Sequence, residues 1–294
     1  MDDVERSELT AGVDWTALAI AEARAAEAIH DSPWFDDTLA AEFIAAAPRS
    51  PLGEWQRSYS QETDERWREW TFAYVQIRTR FFDEHLLEAV SAGCRQVVLL
   101  AAGLDARAFR LPWPHGTELF EVDLPQMLDF KETVLTARRA TPRCQRTTVP
   151  ADLRGDWGGA LAAAGHRPHR PTAWLAEGLQ PYLPDDAYER VLEGLESLTA
   201  PGSRLALDHY DRSRRQGMLE ALRCSGPTDG VMAAWQSQGG QDPVAALANH
   251  GWEAQTYSPS ERARTYGRPL GSDVEAADDA TGYIRLISAR WRDA

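Results

Sequence analysis

Short apolar runs recur between residues 96 and 208, and they are separated by stretches in which apolar residues have helical spacing. The first run, Gln96-Val-Val-Leu-Leu-Ala-Ala102, is apolar without a break after its first residue. Such a run is typical of a parallel strand buried on both faces. Strands that alternate with helices predict βαβ units. The other predicted strands span 118–123, 146–150, 172–177, 204–208 and 283–290.

The regions outside these runs predict helices and an insertion. An Ala-rich stretch at 14–30 and a Trp-studded stretch at 62–90 contain good helix formers, which predicts a helical N-terminal part over 1–92. The cofactor-binding core is predicted over 93–211 and the C-terminal end of the sheet over 246–294. Residues 212–245 are polar and broken by Gly and Pro. This insertion is either a lid over the carboxyl ends of the strands or an inert surface excursion.

Together these elements predict one α/β domain over 1–294. Its fold is expected to be Rossmann-like, with a mostly parallel sheet and helices on both faces. A content of 43% hydrophobic and 26% charged residues is that of a globular protein. The oligomeric state cannot be derived from these patterns.

Charge and cysteine content exclude several partners. A formal net charge of −14 argues against nucleic acid, because phosphates would be repelled. Three isolated cysteines indicate neither a disulfide framework nor a metal site. The sequence contains no run of the roughly 18 apolar residues that a membrane helix needs, and its start is acidic and polar. We therefore expect a cytoplasmic protein without a metal or a membrane partner.

The chemistry of the predicted site begins at the ends of the first two strands. Gly103 follows the first strand, and its lack of a Cβ lets a ligand approach the backbone closely. Asp123 ends the second strand about 20 residues later, where a carboxylate can accept both hydroxyl hydrogens of a ribose. This spacing predicts an adenosine cofactor, although a turn at Gly103 and a helix cap at Asp123 are the structural alternative.

The turn around Gly103 separates two kinds of cofactor. A dinucleotide needs the glycine-rich pattern GxGxxG to place its pyrophosphate on bare backbone. Here the turn reads AAGLDAR, with one glycine and an acidic Asp105. S-adenosylmethionine carries no phosphate, and its sulfonium and amino groups are cationic. The turn therefore favours S-adenosylmethionine, with S-adenosylhomocysteine as the product.

Four segments together resemble a known family. QVVLLAAGLDARAFRL, ELFEVDLPQMLDFK, ADLRGDW and TAWLAEGLQPYL are similar in order and spacing to the leucine carboxyl methyltransferase family, and above all to its bacterial branch. The resemblance spans about 21–203 and implies a Rossmann-like fold of the class I methyltransferase type. One departure is Ala106, a turn position where the family usually has Thr.

The resemblance assigns roles to individual residues. Arg78 corresponds to an arginine that contacts the methionine carboxylate and helps to place the acceptor. Arg24 corresponds to a basic residue for the same cofactor carboxylate, and Tyr182 to a tyrosine that touches the acceptor. The resemblance assigns the other cofactor contacts to the ribose ligand Asp123 with Leu124, the adenine-binding pair Asp152 and Leu153, and Glu177 at the end of its strand. An ordinary surface, capping or packing role is the alternative for each.

These roles lead to a hypothesis of carboxyl O-methylation. A carboxylic acid with a pKa of about 4 is ionised at neutral pH and needs no base. Arg78 would orient the acceptor carboxylate and Tyr182 would bond to it, on a small-molecule or peptide acceptor. Alternatively, His209, which with Tyr210 is expected to point toward the site, would serve as base for a phenol or hydroxyl. The sequence also leaves open a nicotinamide-dependent oxidoreductase and a cofactor-binding protein without catalytic activity.

Overall fold

A computed structural model describes residues 15–47, 65–224 and 234–292 of the 294-residue chain. Its strands are β1 (Gln96–Leu100), β2 (Glu118–Asp123), β3 (Gln145–Pro150), β4 (Thr172–Ala176), β5 (Arg204–Tyr210), β6 (Trp252–Tyr257) and β7 (Ile284–Trp291). They form one sheet in the order β3-β2-β1-β4-β5-β7-β6. The first five strands are parallel, and β7 is antiparallel to both of its neighbours.

The helices alternate with the strands as the sequence predicts. Among the described residues, the helices before the sheet are α1 (Trp15–Ala28), α2 (Thr38–Ala46) and the long α3 (Glu65–Ser91). The helices between strands are α4 (Arg107–Arg110), α5 (Pro125–Ala137), α6 (Trp157–Ala163), α7 (Asp185–Ser197), α8 (Arg215–Leu222), α9 (Pro243–Asn249), α10 (Pro259–Thr265) and α11 (Ser272–Thr281). Two 3₁₀ turns, Gln180–Tyr182 and Arg212–Arg214, complete the described elements.

The central strands bury both faces, which explains their continuous apolar sequence. Val97 and Leu99 of β1 belong to one hydrophobic core, whereas Val98 and Leu100 belong to another on the opposite face. The first core contains α3 with α8 and α11, and the second contains α6 and α7. The fold is thus the predicted Rossmann-like α/β arrangement with helices on both faces.

Helix α3 carries the aromatic residues of the Trp-studded stretch. Trp70, Tyr74, Ile77 and Phe81 recur every three or four residues and are buried. This spacing places them on one stripe of the helix, which faces the sheet. The stripe continues from the first core to the carboxyl ends of the strands, where it becomes part of the candidate site.

Two features at the C-terminal end differ from the sequence prediction. Strand β5 extends to Tyr210, two residues beyond the predicted end, and β6 was not predicted at all. β6 is an edge strand whose WEAQTY sequence is largely polar, so it carries no apolar run. Of the predicted 212–245 insertion, residues 225–233 lie outside the described residues, as do 1–14 and 48–64 of the predicted N-terminal part.

Candidate active site at the carboxyl ends of the strands

A cavity of 570 Å³ opens at the carboxyl ends of the parallel strands. Nine residues predicted for the cofactor or the acceptor line it: Arg24, Arg78, Gly103, Asp123, Leu124, Asp152, Leu153, Glu177 and Tyr182. We call the part at the ends of β1 to β4 the strand-end half. The other part, walled by rings from α3 and the C-terminal region, is the aromatic half.

The turn after β1 is tied directly to the end of β2. Ala101 and Gly103 both have positive φ, of 51° and 48°, a conformation that glycine adopts without strain. The Gly103 amide donates to Asp123 Oδ2 at 2.5 Å, and the Leu124 amide donates to Asp123 Oδ1 at 2.7 Å. Burial raises the pKa of Asp123 against the opposing effect of these two amides. Asp123 is thus held by backbone at the cavity wall, where the ribose ligand was predicted.

The end of β3 contributes one polar and one apolar side chain to the strand-end half. Leu153 is buried, whereas Asp152 is exposed and paired with Arg154 at 2.6 Å. Leu124 also lines the cavity and is 42% exposed. Leu124 and Leu153 near the Asp152 carboxylate suit a flat heteroaromatic ring with an exocyclic amine. This is the chemistry predicted for the pair Asp152 and Leu153.

Glu177 lies between two arginines. Its carboxylate pairs with Arg78 Nε at 3.0 Å and with Arg107 Nη1 at 2.7 Å. Burial acts to raise the pKa of Glu177, but the charges of Arg107 and Arg78 outweigh it and the pKa is lowered. Glu177 is therefore ionised at the cavity wall at neutral pH, as a contact to a cationic group requires.

Arg107 lies at the centre of this arrangement, and the sequence did not predict a role for it. Arg107 is 2% exposed; it donates to Asp83 Oδ1 at 2.7 Å and also to Asp105. Asp83 lies 24 residues before it and Glu177 lies 70 residues after it. The only local signal was the acid–base pair Asp105 and Arg107 directly after the turn.

A second buried network, centred on Asp208, joins the two halves of the cavity. Asp208 accepts from Tyr74 Oη at 2.7 Å, from Arg78 Nη1 at 3.0 Å and from the Gly178 amide at 2.7 Å. Arg78 Nη1 also donates to Tyr210 Oη at 3.0 Å. Burial and then the Asp208 charge raise the pKa values of Tyr74 and Tyr210, so both hydroxyls stay protonated at neutral pH.

Arg24 approaches the cavity from the N-terminal part. It pairs with Asp37 at 2.8 Å and donates to the Leu104 carbonyl at 2.7 Å. The bond to Leu104 fixes α1 against the turn that follows β1, and the pair with Asp37 fixes it to the start of α2. Arg24 lies at the wall as predicted, and its role toward a cofactor carboxylate stays a prediction.

The aromatic half is walled by rings from four separate parts of the chain. The rings are Trp67, Trp70 and Tyr74 of α3, Tyr210 at the end of β5, Trp235 in the C-terminal part of the predicted insertion, and Tyr283 before β7. Neighbouring rings touch one another, and their centroids are 5.0 Å apart for Trp67 and Trp70 and 5.2 Å for Tyr210 and Trp235. Such a wall is suited to a flat apolar ligand.

Of the predicted residues Tyr182 and His209, only Tyr182 lies at the cavity. Tyr182 ends the first 3₁₀ turn and lines the cavity. His209 does not line it, because Asp208 and Tyr210 face the cavity side of β5 and the residue between them faces the other way. His209 instead lines a separate 50 Å³ cavity beside Asp185 and Tyr188. The prediction that His209 points toward the site is therefore wrong.

The strand-end half fits the chemistry of S-adenosylmethionine. Its wall is acidic and has no glycine-rich phosphate cradle, and its four carboxylates are those of Asp105, Asp123, Asp152 and Glu177. Cationic sulfonium and ammonium groups are suited to such a wall, whereas a pyrophosphate is not. Within the described ranges, no group of three or more potential ligand side chains is arranged to hold a metal ion, and no helix has the length and apolar character to cross a membrane.

Comparison with known proteins identifies the family. The model of the leucine carboxyl methyltransferase family matches residues 17–196. A "Putative S-adenosyl-L-methionine-dependent methyltransferase" of Frankia alni is 45% identical over 278 residues, which cover 95% of this chain and 94% of that one. A relative of the same description from Streptomyces avermitilis is 42% identical over 290 residues, covering 98% and 99% of the two chains.

A solved structure agrees with the fold. A DUF574 family protein from Streptomyces avermitilis superposes with a TM-score of 0.56 at 14% identity, covering 97% of this chain and 100% of that one. The relatives, which are described as S-adenosylmethionine-dependent, argue against the nicotinamide-dependent hypothesis. The chain belongs to the leucine carboxyl methyltransferase family, and it is an S-adenosylmethionine-dependent methyltransferase.

Proposed function

We propose that the protein methylates a carboxylate oxygen of a small acid that carries an apolar ring system. The observation that supports this most directly is the composition of the cavity wall. Among the described residues that line it, none is a histidine, a lysine or a cysteine. An acceptor that is already ionised at neutral pH needs no such base.

Most of the remaining polar groups near the acceptor are poor bases at neutral pH. The hydroxyls of Tyr74 and Tyr210 have raised pKa values and act as donors. Glu177 and Asp105 have lowered pKa values, in each case because arginine charges outweigh the effect of burial, and the pKa of Asp105 is about 2. A phenol or an aliphatic hydroxyl would therefore lack a group to take its proton.

Bound S-adenosylmethionine supplies a methyl group on a sulfonium sulfur, which is already an activated leaving group. The task of the protein is then to align the acceptor oxygen and exclude water. In this proposal Arg78 and Tyr182 orient the acceptor carboxylate from the boundary between the two halves. The residues that hold the cofactor in the strand-end half are Arg24, Gly103, Asp123, Leu124, Asp152, Leu153 and Glu177.

The aromatic half supports the choice of a ring-bearing acid over a peptide. A peptide acceptor needs partners for its backbone amides and carbonyls, since buried polar groups must be hydrogen-bonded. The rings of Trp67, Trp70, Tyr210 and Tyr283 offer mainly apolar faces. A fused-ring acid can pack against these faces and leave its carboxylate toward Arg78.

The test is a product analysis on matched acceptors. Purified protein and S-adenosylmethionine are incubated with a panel of fused-ring carboxylic acids, the corresponding phenols and amines, and a short peptide ending in leucine. Mass spectrometry then identifies the methylated products. Methyl esters formed from the ring acids are the expected result. Products confined to phenols, amines or the peptide, or no ester from any acid of the panel, would contradict the proposal.

A further inference from the structure

Arg107 lies one layer behind the cavity wall. Its guanidinium does not line the cavity, but two of its bonding partners, Asp105 and Glu177, do. The third, Asp83 of α3, does not line the cavity and also binds Arg110, at 2.7 Å from Arg110 Nη2. Arg107 thus joins two wall carboxylates to the body of the protein.

We propose that Arg107 is a positioning residue that holds Asp105 and Glu177 in place, both ionised, so that together they bind the ammonium group of the cofactor. A carboxylate accepts strongly from an ammonium group only when it is ionised and correctly oriented. Two neighbouring carboxylates without a shared cation repel each other, and one of them takes up a proton. Arg107 supplies that shared cation from behind.

The charges around Arg107 agree with this role. Asp83, Asp105 and Glu177 bond to it, and the Thr79 carbonyl accepts from it at 3.4 Å. Further cations reach the three carboxylates: Arg78 pairs with Glu177, Arg110 pairs with Asp83, Lys131 and more weakly Arg110 act on Asp105, and Arg24 acts on Glu177. Among the charges acting on Asp105 and Glu177, Arg107 has the largest effect in lowering both pKa values.

The effect of losing Arg107 on the pKa of Glu177 follows from these charges. Burial raises the pKa of Glu177, and so does the neighbouring Asp105. Without the Arg107 charge, the pKa of Glu177 rises, and its ability to bind an ammonium group is lost as the pH falls through the raised value. In the wild-type protein the pKa values of both carboxylates are lowered, so their binding strength is constant between pH 5.5 and 7.5.

The experiment measures binding alone and needs no acceptor, so its outcome is independent of the proposed carboxyl methylation. Calorimetric titrations of the wild type, Arg107→Gln and Arg107→Lys use S-adenosylhomocysteine and 5′-methylthioadenosine at pH 5.5 and 7.5. The second ligand has the adenosine and the sulfur but no amino-acid end. It therefore reports on the rest of the strand-end half and on the integrity of the fold.

We expect Arg107→Gln to weaken S-adenosylhomocysteine binding about tenfold at pH 7.5, the equivalent of one charge-assisted hydrogen bond. At pH 5.5 the loss grows by about a further threefold as Glu177 takes up protons. Binding of 5′-methylthioadenosine stays within about twofold of the wild type, because this ligand has no ammonium group for the two carboxylates to bind. Arg107→Lys keeps the charge and restores the flat pH profile.

The matched control is Arg110→Gln. Arg110 bonds to the same Asp83 but has no bond to either wall carboxylate, so this variant perturbs the cluster without releasing Asp105 or Glu177. Arg110→Gln should leave the ratio of the two affinities unchanged. Equal weakening of both ligands in Arg107→Gln, wild-type binding in that variant, or the same selective loss in Arg110→Gln would overturn the proposal. If Arg107→Gln does not fold, S-adenosylhomocysteine binding to Arg107→Lys and Arg107→His is compared at the two pH values, since histidine loses its charge across this range. Selective weakening at pH 7.5 in Arg107→His alone supports the proposal, and equal profiles of the two variants contradict it.

Discussion

Replacement of Asp208 by asparagine tests the buried network that joins the two halves of the cavity. The Asp208 side chain is 0% exposed and its carboxylate accepts from Tyr74, Arg78 and the Gly178 amide at 2.7, 3.0 and 2.7 Å. Asparagine has one acceptor oxygen and one amide group that only donates. In either orientation of the new side chain, a donor therefore faces a donor.

The magnitude follows from two losses. A hydrogen bond between charged groups contributes about 1.5–3 kcal/mol, and a buried donor left without an acceptor costs about 1–3 kcal/mol. Because Arg78 keeps its pairing with Glu177, the sum stays near the usual range for breaking a buried ion pair. We expect Asp208→Asn to lower the free energy of unfolding by about 3–5 kcal/mol.

The assay is equilibrium unfolding in urea, followed by circular dichroism. With a dependence on urea of about 3 kcal/mol per molar, the midpoint falls by about 1–1.7 M. The exposed Asp186, which pairs with Arg190 on α7, gives the matched control, and Asp186→Asn should leave the midpoint unchanged. A loss below about 1 kcal/mol in Asp208→Asn would refute the reasoning that one buried donor is left facing another donor.

Three further predictions address other residues. If Asp123 binds the ribose as proposed, Asp123→Ala removes two hydrogen bonds and should weaken S-adenosylhomocysteine binding about 100-fold in calorimetric titration; unchanged affinity would remove Asp123 from the site. His209→Ala should leave the rate of methyl transfer within about twofold, because the side chain faces away from the cavity, and a complete loss of turnover would contradict this. Burial lowers the pKa of His250, but Glu189 and Glu196 outweigh it and the pKa is raised. Its contribution to stability is therefore present at pH 6 and lost as the pH rises through the raised pKa, so urea midpoints of the wild type and His250→Gln should converge at pH 9.

The strands of the core were predictable because burial on both faces leaves a plain sequence pattern. The predicted bounds of β1 to β4 lie within two residues of the observed ones. Gly103, Asp123 and Glu177 come together because parallel strands end at one edge of the sheet, so strand ends alone predict a shared site. Strand β6 lies at the edge with a polar sequence, and nothing in its pattern separates it from a loop.

The buried charges and the direction of His209 were beyond the reach of the sequence pattern. Arg107 and Asp208 acquire their partners from distant segments, and a charged residue in a sequence gives no sign of being buried. His209 and Tyr210 are adjacent, and in a strand adjacent side chains point to opposite faces. The predicted strand ended at 208, so both residues were expected at the site, whereas the observed strand continues to Tyr210 and only Tyr210 lines the cavity.

The carboxylates and the aromatic rings of the cavity wall come from different stretches of the chain. Every carboxylate of the strand-end half lies between residues 105 and 177, inside the 17–196 segment that matches the family. Tyr210, Trp235 and Tyr283 lie after that segment. Exchange of the C-terminal third between relatives by gene recombination would therefore replace half of the described rings of the aromatic half and keep every described carboxylate of the strand-end half.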